Sequence, residues 1–191
     1  MSHGASSRLR LIAIVLAATT LSACAGSKMR PVGDTPVRIG KPYTVRGTTY
    51  TPAAAPGYDA VGYASWYGNE SGNQTANGEK FRPGWITAAH TTLPLPTYVE
   101  VTALDSGRRI IVRVNDRGPF AGRGRIIDLS RGAAELLGIR DQGHAAVRVR
   151  RADPSERDRA RLCKGKAAAS LAPVTARELE RLRARIATEA R

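Results

Sequence analysis

The sequence predicts a mainly β fold, a small barrel formed by residues 61–150. Residues 97–103 alternate with a period of two, which is typical of a strand, and a second β run follows over residues 109–114. The tight Asp-Ser-Gly connection between them indicates a β-hairpin. Only residues 131–137 have the features of a helix in this region. Several strands and one short helix within about 90 residues favour a small barrel.

The remaining elements of the barrel follow in order along the chain. Residues 125–129 are a further strand candidate because they are mostly apolar and β-branched. Ser130 is placed to cap the start of the short helix, and Gly138 stands just after its end, where a left-handed residue is favoured. Residues 145–150 alternate once more and are expected to close the sheet.

The N-terminus has the features of an export signal spanning residues 1–23. Arg8 and Arg10 give it a basic start, and an apolar stretch follows over residues 11–21. The sequence Leu-Ser-Ala-Cys ending at Cys24 resembles the bacterial lipobox, in which the cysteine becomes the lipidated first residue of the mature protein. An ordinary cleavage site at the neighbouring small residues is the alternative. We therefore predict a lipoprotein signal and a lipid anchor at Cys24.

The residues after the lipobox indicate which membrane the lipoprotein is anchored in. Ala25 and Gly26 lack the aspartate that retains such lipoproteins in the inner membrane, so the resemblance favours the periplasmic face of the outer membrane. No apolar run reaches the roughly 18 residues that a spanning helix needs, which excludes an integral channel or transporter. Residues 24–60 are rich in Pro, Gly and Thr, and we expect them to form a tether and lead-in segment.

The net charge of +14 lies mostly in the two flanks of the barrel. Export disfavours a nucleic-acid partner in spite of this charge. Residues 151–191 are predicted to form a charged linker and an amphipathic helix, which begins at a capping box from Thr175 to Glu178. Cys163 has no intramolecular partner if Cys24 is acylated, and we expect it to be an incidental surface thiol. We expect the protein to be a monomer.

Four polar side chains stand at turns or inside apolar strands, where they are candidates for a reactive site. Glu79 follows a turn, Asp116 ends a β run at a Gly-Pro break, and Asp128 lies inside an apolar strand. His90 follows a run of small residues. Each has a structural alternative: a solvated loop charge for Glu79, an Asx-turn cap for Asp116, an arginine's ion-pair partner for Asp128, and a satisfied buried histidine for His90. The sequence has no histidine and cysteine spacing typical of a metal site, and we predict no metal and no cofactor.

Five motifs, in order and with consistent spacing, cover residues 61–150. They are Ala64-Ser65-Trp66-Tyr67-Gly68, Thr75-Ala76-Asn77-Gly78-Glu79, Thr87-Ala88-Ala89-His90-Thr91-Thr92-Leu93-Pro94, Val114-Asn115-Asp116-Arg117-Gly118-Pro119-Phe120 and Arg125-Ile126-Ile127-Asp128-Leu129-Ser130. Together they resemble the rare lipoprotein A family. The segment from Lys41 to Tyr58 is similar to the lead-in seen in many members, and the lipobox agrees with it.

The resemblance implies a six-stranded double-psi β-barrel, shared with expansins and barwin-like proteins. It also implies a lytic transglycosylase that acts on peptidoglycan glycan strands, particularly those without stem peptides. The catalytic candidates carried over are Glu79, His90, Asp116 and Asp128. The glycan-binding candidates are Trp66, Tyr67, Asn77, Asn115, Arg117 and Phe120.

Two departures from the family's pattern affect what can be carried over. The stretch over residues 69–74 lacks the aromatic-His-Gly element of many members. Residues 151–191 are too few and too helical for the glycan-binding repeat domain that targets many members to the septum. Two rival functions therefore stay open: a non-catalytic, expansin-like peptidoglycan-binding lipoprotein, and a structural tether between outer membrane and wall.

Lytic cleavage needs only one group that acts first as acid and then as base. The sugar's own C6 hydroxyl is the nucleophile, so neither water nor a second carboxylate is required. The acid must keep its proton near the working pH, which burial and a neighbouring carboxylate favour. We predict that Glu79, Asp116 or Asp128 is this acid, and that His90 holds the geometry or shares the proton.

Overall fold

The structure is a computed structural model that describes residues 29–68 and 72–189. The predicted signal, Cys24 and the first residues of the 69–74 stretch lie outside the described residues. The elements are β1 (Tyr43–Val45), β2 (Thr48–Tyr50), β3 (Asp59–Tyr67), β4 (Thr87–Ala89), β5 (Thr97–Ala103), β6 (Arg109–Asp116), β7 (Arg125–Ser130), α1 (Arg131–Leu137), β8 (His144–Arg151), α2 (Glu156–Leu162) and α3 (Ala176–Glu189). No helix within the described ranges is long and apolar enough to cross a membrane.

Six strands close into a barrel in the order β3-β7-β4-β6-β5-β8. The β3–β7 and β4–β6 pairs are parallel, and the other four pairs are antiparallel. The predicted hairpin is β5–β6, with Val99 opposite Val112. The mainly β, six-stranded barrel is thus confirmed. β3 and β4 were not predicted as separate strands from periodicity, since β4 has only three residues and β3 is interrupted by Gly62.

Branched apolar side chains fill the barrel. Val99, Val101, Val112, Ile127 and Leu129 are at most 1% exposed. Each such side chain contributes about 1.5–3 kcal/mol through burial of its apolar surface. Every residue of β5 is buried, because the chain segments that flank the barrel also cover the outer face of this strand.

The lead-in segment packs against the barrel from Arg30 onward. The Arg30 backbone N–H donates to the Gly78 carbonyl at 2.6 Å, and Arg38 forms a β-bridge with Leu95. The Ala53 N–H donates to the Thr92 carbonyl at 3.1 Å. The described part of residues 24–60 therefore lies on the barrel, against the turn that contains Gly78 and the loop that follows β4.

The C-terminal flank also packs on the barrel. The predicted amphipathic helix is α3, which buries Leu182 against Val61 and Leu104. The predicted linker contains a second helix, α2, which Ser155 caps and whose Leu162 is fully buried. The sequence did not predict this helix, whose Arg159 guanidinium lies 5.0 Å from the Tyr98 ring of β5.

Cys163 follows α2 and is only partly exposed. Its Sγ donates to Asp34 Oδ1 at 3.3 Å and lies 3.6 Å from the Tyr98 hydroxyl. Burial raises the pKa of this thiol. The expectation of an incidental surface thiol was therefore wrong, since the side chain joins the lead-in segment to α2.

Candidate active site

The barrel brings Asp116 and Asp128 to the two sides of one short strand. β4 lies between β6 and β7, and Ala89 pairs with Asp116 on one side and with Asp128 on the other. Because neighbouring strands are about 4.8 Å apart, the two aspartates are separated by about 10 Å of sheet and share a face. The small side chain of Ala89 leaves the space between them open.

A cavity of about 330 Å³ occupies this position. It is lined by Tyr67, Gln74, Ala89, Asp116, Arg117, Gly118, Phe120 and Asp128. Gly118 keeps the cavity open, since a Cβ there would lie 3.6 Å from both Ala89 Cβ and Asp128 Oδ2. Its φ of +143° is also one that side chains rarely adopt. Of the ten predicted site residues in the barrel, five line this cavity.

Among the described residues, Asp116 has hydrogen-bond donors at only one of its two carboxyl oxygens. Oδ1 accepts hydrogen bonds from the backbone N–H groups of Ala76 and Arg117, both at 2.8 Å. No described residue donates to Oδ2. Burial raises the pKa of Asp116, although the two backbone hydrogen bonds and the Arg117 charge oppose the rise. Asp116 therefore keeps its proton to a higher pH than an ordinary aspartate, and Oδ2 is the oxygen available to carry it.

Asp128 is a fixed carboxylate. Its Oδ1 accepts from the Ser65 hydroxyl at 2.7 Å, and Arg125 Nη2 donates to both of its oxygens at 2.6 and 2.7 Å. Hydrogen bonds between a guanidinium and a carboxyl group are short and directional, and they hold the Asp128 side chain in place. Asp128 therefore forms the ion pair with an arginine that was its structural alternative. Its carboxyl group also lines the cavity.

Tyr67 places an unpaired hydroxyl beside the two aspartates. Its ring stacks on Phe81 with centroids 4.9 Å apart, so one face of the ring is occupied. The hydroxyl is buried and has no hydrogen-bond partner among the described residues. Burial raises the pKa of this phenol well above its usual value, and the charges of Asp116 and Asp128 raise it further. Tyr67 is therefore a neutral phenol in the cavity wall, next to both aspartates.

Trp66 faces a different part of the molecule, because successive side chains of a strand point to opposite sides. Its Nε1 donates to the Arg140 carbonyl at 3.0 Å, and the Arg140 guanidinium lies 5.9 Å from its ring. The structure does not bring this predicted glycan-binding residue to the cavity.

Glu79 lies beneath the cavity in a buried ion pair. Its side chain is 1% exposed and accepts two hydrogen bonds from Arg113, at 2.7 and 2.8 Å. Asn77 and Asn115 each donate one further hydrogen bond to it, at 2.8 and 2.9 Å. Burial raises the pKa of Glu79, but these hydrogen bonds and the Arg113 charge outweigh it, so the pKa is lowered. Glu79 is thus held ionised, and it is neither a solvated loop charge nor part of the cavity wall.

Asn77 and Asn115 also belong to this buried network. Arg30 Nη1 donates to Asn77 Oδ1 at 2.5 Å, and the Asn77 N–H donates to the Asn115 carbonyl at 3.1 Å. The Asn115 Oδ1 atom is buried without a partner among the described residues. Neither asparagine lines the cavity, so the structure gives them a role in holding the turn that carries Glu79.

His90 is a buried neutral histidine. Its Nδ1 accepts from the backbone N–H groups of Thr92 and Leu93, both at 3.1 Å, which assigns the proton to Nε2. Nε2 then donates to the Tyr58 hydroxyl at 2.9 Å. Burial, together with the Arg117 charge, lowers the pKa of His90 to about 4. Both ring nitrogens form hydrogen bonds with groups that do not line the cavity. His90 is thus the satisfied buried histidine that was given as its structural alternative.

Arg117 and Phe120 form the remaining wall of the cavity. Arg117 donates to the carbonyl groups of His90 and Leu93, at 3.1 and 2.6 Å, and to that of Ile39 at 3.2 Å. It therefore ties the lead-in segment to the loop after β4. Phe120 packs against rings of the lead-in segment.

Residues 59–149 match the DPBB_1 family model, described as lytic transglycolase. Relatives at 45–56% identity cover the same barrel. Over this barrel, the chain is therefore similar to the rare lipoprotein A family. Within the described parts of the chain, no group of three or more His, Cys, Asp or Glu side chains could hold a metal ion.

Three relatives carry the printed name "Endolytic peptidoglycan transglycosylase RlpA". The Pseudomonas aeruginosa protein is 56% identical over 59% of this chain and 33% of its own length. The Campylobacter jejuni protein is 50% identical over 57% of this chain and 40% of its own. The Neisseria meningitidis protein is 47% identical over 60% of this chain and 48% of its own. The chain thus spans a third to a half of the curated relatives it matches.

Sequence reasoning missed the partners of the candidate carboxylates in this barrel. Arg113 interrupts the apolar run of β6, and a charge inside an apolar strand requires a partner. The same argument singled out Asp128 and would have found Arg113. Ser65 and Arg125 gave no such signal, because only the β3–β7 register brings Ser65 opposite Asp128.

Proposed function

We propose that this protein is an endolytic peptidoglycan lytic transglycosylase that acts in cell-wall remodelling. It cleaves the β-1,4 bond between N-acetylmuramic acid and N-acetylglucosamine and leaves 1,6-anhydromuramic ends. The observation that carries the proposal is the pair of aspartates that line one cavity, on either side of Ala89. Asp116 has a raised pKa and an Oδ2 without a donor among the described residues, whereas Asp128 is hydrogen-bonded by Arg125 and Ser65. The names of the relatives support the same reaction.

Asp116 is the proposed acid and base. Its Oδ2 proton passes to the glycosidic oxygen as the bond to the muramoyl anomeric carbon breaks. Positive charge develops on that sugar, and the fixed negative charge of Asp128 faces it. The muramoyl C6 hydroxyl then attacks the anomeric carbon and returns its proton to Asp116. One C–O bond breaks, one forms, and no water is consumed.

Glu79 and His90 act in this proposal as positioning residues. Glu79 fixes the turn over residues 75–79, from which the Ala76 N–H reaches Asp116 Oδ1. His90 fixes the loop whose carbonyl groups receive Arg117. The catalytic candidate nearest to the reacting bond is therefore Asp116, with Asp128 opposite it.

The protein, purified in detergent and incubated with peptide-free glycan strands, should release products ending in 1,6-anhydromuramic acid. Mass spectrometry distinguishes these ends from hydrolysed ones by the mass of one water. Strand binding without any anhydro product would contradict the proposal and support the rival function, an expansin-like binding lipoprotein.

We also propose that the mature protein is a monomeric lipoprotein, anchored through acyl chains on Cys24 in the outer membrane and facing the periplasm. The sequence of the signal and lipobox supports this. Cells fed labelled palmitate should label the unaltered protein and a Cys163→Ser control, whereas Cys24→Ser should take up no label. Labelling of the Cys24→Ser variant would contradict the anchor site.

A further inference from the structure

The cavity holds only a short part of a glycan strand. Its volume of about 330 Å³ is near the lower end of the range for pockets that bind small ligands, about 300–1,000 Å³. A strand cleaved within its length continues on both sides of the bond that breaks. The rest of the strand must therefore lie on the surface beside the cavity. Further sugar contacts are expected at the rim, where the cavity wall meets this surface.

Three aromatic rings meet at the rim, on the side of Phe120. Tyr43 and Tyr50 are directly opposite each other in the β1–β2 hairpin, so their side chains share a face. Their rings stack with centroids 5.4 Å apart and an interplanar angle of 23°. Phe120 lies 6.1 Å from the Tyr43 ring and 5.6 Å from the Tyr50 ring. We call Tyr43, Tyr50 and Phe120 the aromatic shelf.

Contacts with the barrel hold the shelf in place. A two-stranded hairpin alone is only marginally stable in water. Here the Tyr43 hydroxyl donates to the Thr91 carbonyl at 2.7 Å, and the Arg117 guanidinium lies 6.0 Å from the Tyr43 ring. The hairpin turns at Arg46 and Gly47, both at positive φ, as a two-residue hairpin loop requires. The shelf is therefore continuous with the cavity wall through Arg117 and Phe120.

Tyr50 is the ring of the shelf that is best placed to meet a ligand. It is partly exposed, and its hydroxyl makes no hydrogen bond with any described residue. A tyrosine ring offers an apolar face and a polar edge, which suit the C–H face and the hydroxyl groups of a sugar. The hairpin also precedes the segment matched by the family model, which begins at residue 59.

We infer that the aromatic shelf is a sugar-binding subsite that holds a saccharide unit of the strand next to the cavity. The inference rests on the proposed function, because it takes the cavity to be the place of cleavage. The shelf would stack one sugar ring on Tyr50 and Phe120 and so favour long strands over short fragments.

Tyr50→Leu tests the shelf, because leucine keeps apolar bulk against Tyr43 and Phe120 but removes the flat face. Binding is measured by calorimetry in an Asp116→Asn background, so that strands are not consumed. We expect the affinity for long peptide-free strands to fall about tenfold, which corresponds to the loss of one aromatic contact. Binding of a disaccharide that fills only the cavity should be unchanged. Tyr50→Phe should keep strand binding, and so should Thr49→Ala on the opposite face of the hairpin.

Three results would overturn the inference. If Tyr50→Leu binds strands as tightly as the protein with Tyr50, the shelf is not a sugar-binding subsite. The proposed function would still stand in that case, provided that the unaltered protein forms anhydro products. Equal loss of strand and disaccharide binding would mean that the hairpin acts only by shaping the cavity. No binding of either ligand, together with no anhydro products, would remove the proposed function and the shelf together.

Discussion

Asp116→Asn should lower the release of anhydro ends by a factor of about 10²–10⁴, the usual contribution of a general acid. Asparagine keeps an oxygen for the Ala76 and Arg117 N–H groups and replaces only the oxygen that has no partner among the described residues. The free energy of unfolding should therefore change little. Rates from mass spectrometry, together with urea unfolding, separate the loss of an acid from the loss of the fold.

The pH dependence identifies the acid independently. Because burial raises the pKa of Asp116, its protonated form persists above the usual range of a carboxyl group. The rate should be high below that pKa and should fall as the pH rises through it. Asp128→Asn is the matched comparison: it removes the fixed charge and lowers the rate, but it should keep this alkaline fall. A full rate for Asp116→Asn, or an alkaline fall that persists in its residual activity, would reject Asp116 as the acid.

The sequence predicted the parts of this molecule that depend on neighbouring residues. The β5–β6 hairpin, the Ser130 cap and the left-handed Gly138 each follow from a few adjacent side chains, and each is present. The capping box and the amphipathic pattern likewise predicted helix α3, but not that its Leu182 packs against Val61 and Leu104 of the barrel. Helix α2 was missed because what holds it is distant in sequence: Leu162 is fully buried, and Arg159 lies over the Tyr98 ring of β5.

The candidate site was also predictable from the sequence only in part. Four catalytic candidates were equivalent in the sequence, since a turn or a strand end does not tell which side chains face a common cavity. The closed barrel decides this: Ala89 pairs with Asp116 and Asp128, whereas Glu79 meets Arg113, 34 residues away, beneath the cavity. Tyr43 and Tyr50 were part of an expected lead-in, and only the docking of the hairpin makes them neighbours of Phe120.

Arg113→Met should destabilise the protein by about 3–5 kcal/mol, because it leaves the Glu79 carboxylate buried without its cation. Glu79→Gln should lower the free energy of unfolding by less. The Arg113 guanidinium would keep the Gly33 carbonyl at 2.6 Å and the Asp34 carboxyl group at 3.5 Å as partners. Arg131→Met is the control at an exposed ion pair. Arg131 lies 3.7 Å from Glu135 and both side chains are more than 40% exposed, so about 0–1 kcal/mol is expected. Urea unfolding measures all three.

The double variant Glu79→Gln/Arg113→Met should be more stable than Arg113→Met alone, because no buried charge is then left unpaired. The lowered pKa of Glu79 adds a pH signature. A carboxyl group with a lowered folded-state pKa contributes stability above its unfolded value of 4.5 and loses it as the pH falls toward the folded value. The unaltered protein should therefore lose stability in acid, and Glu79→Gln should lose less. If Arg113→Met instead kept full stability at neutral pH, Glu79 would have to carry a proton there, and it would return as a candidate for the catalytic acid.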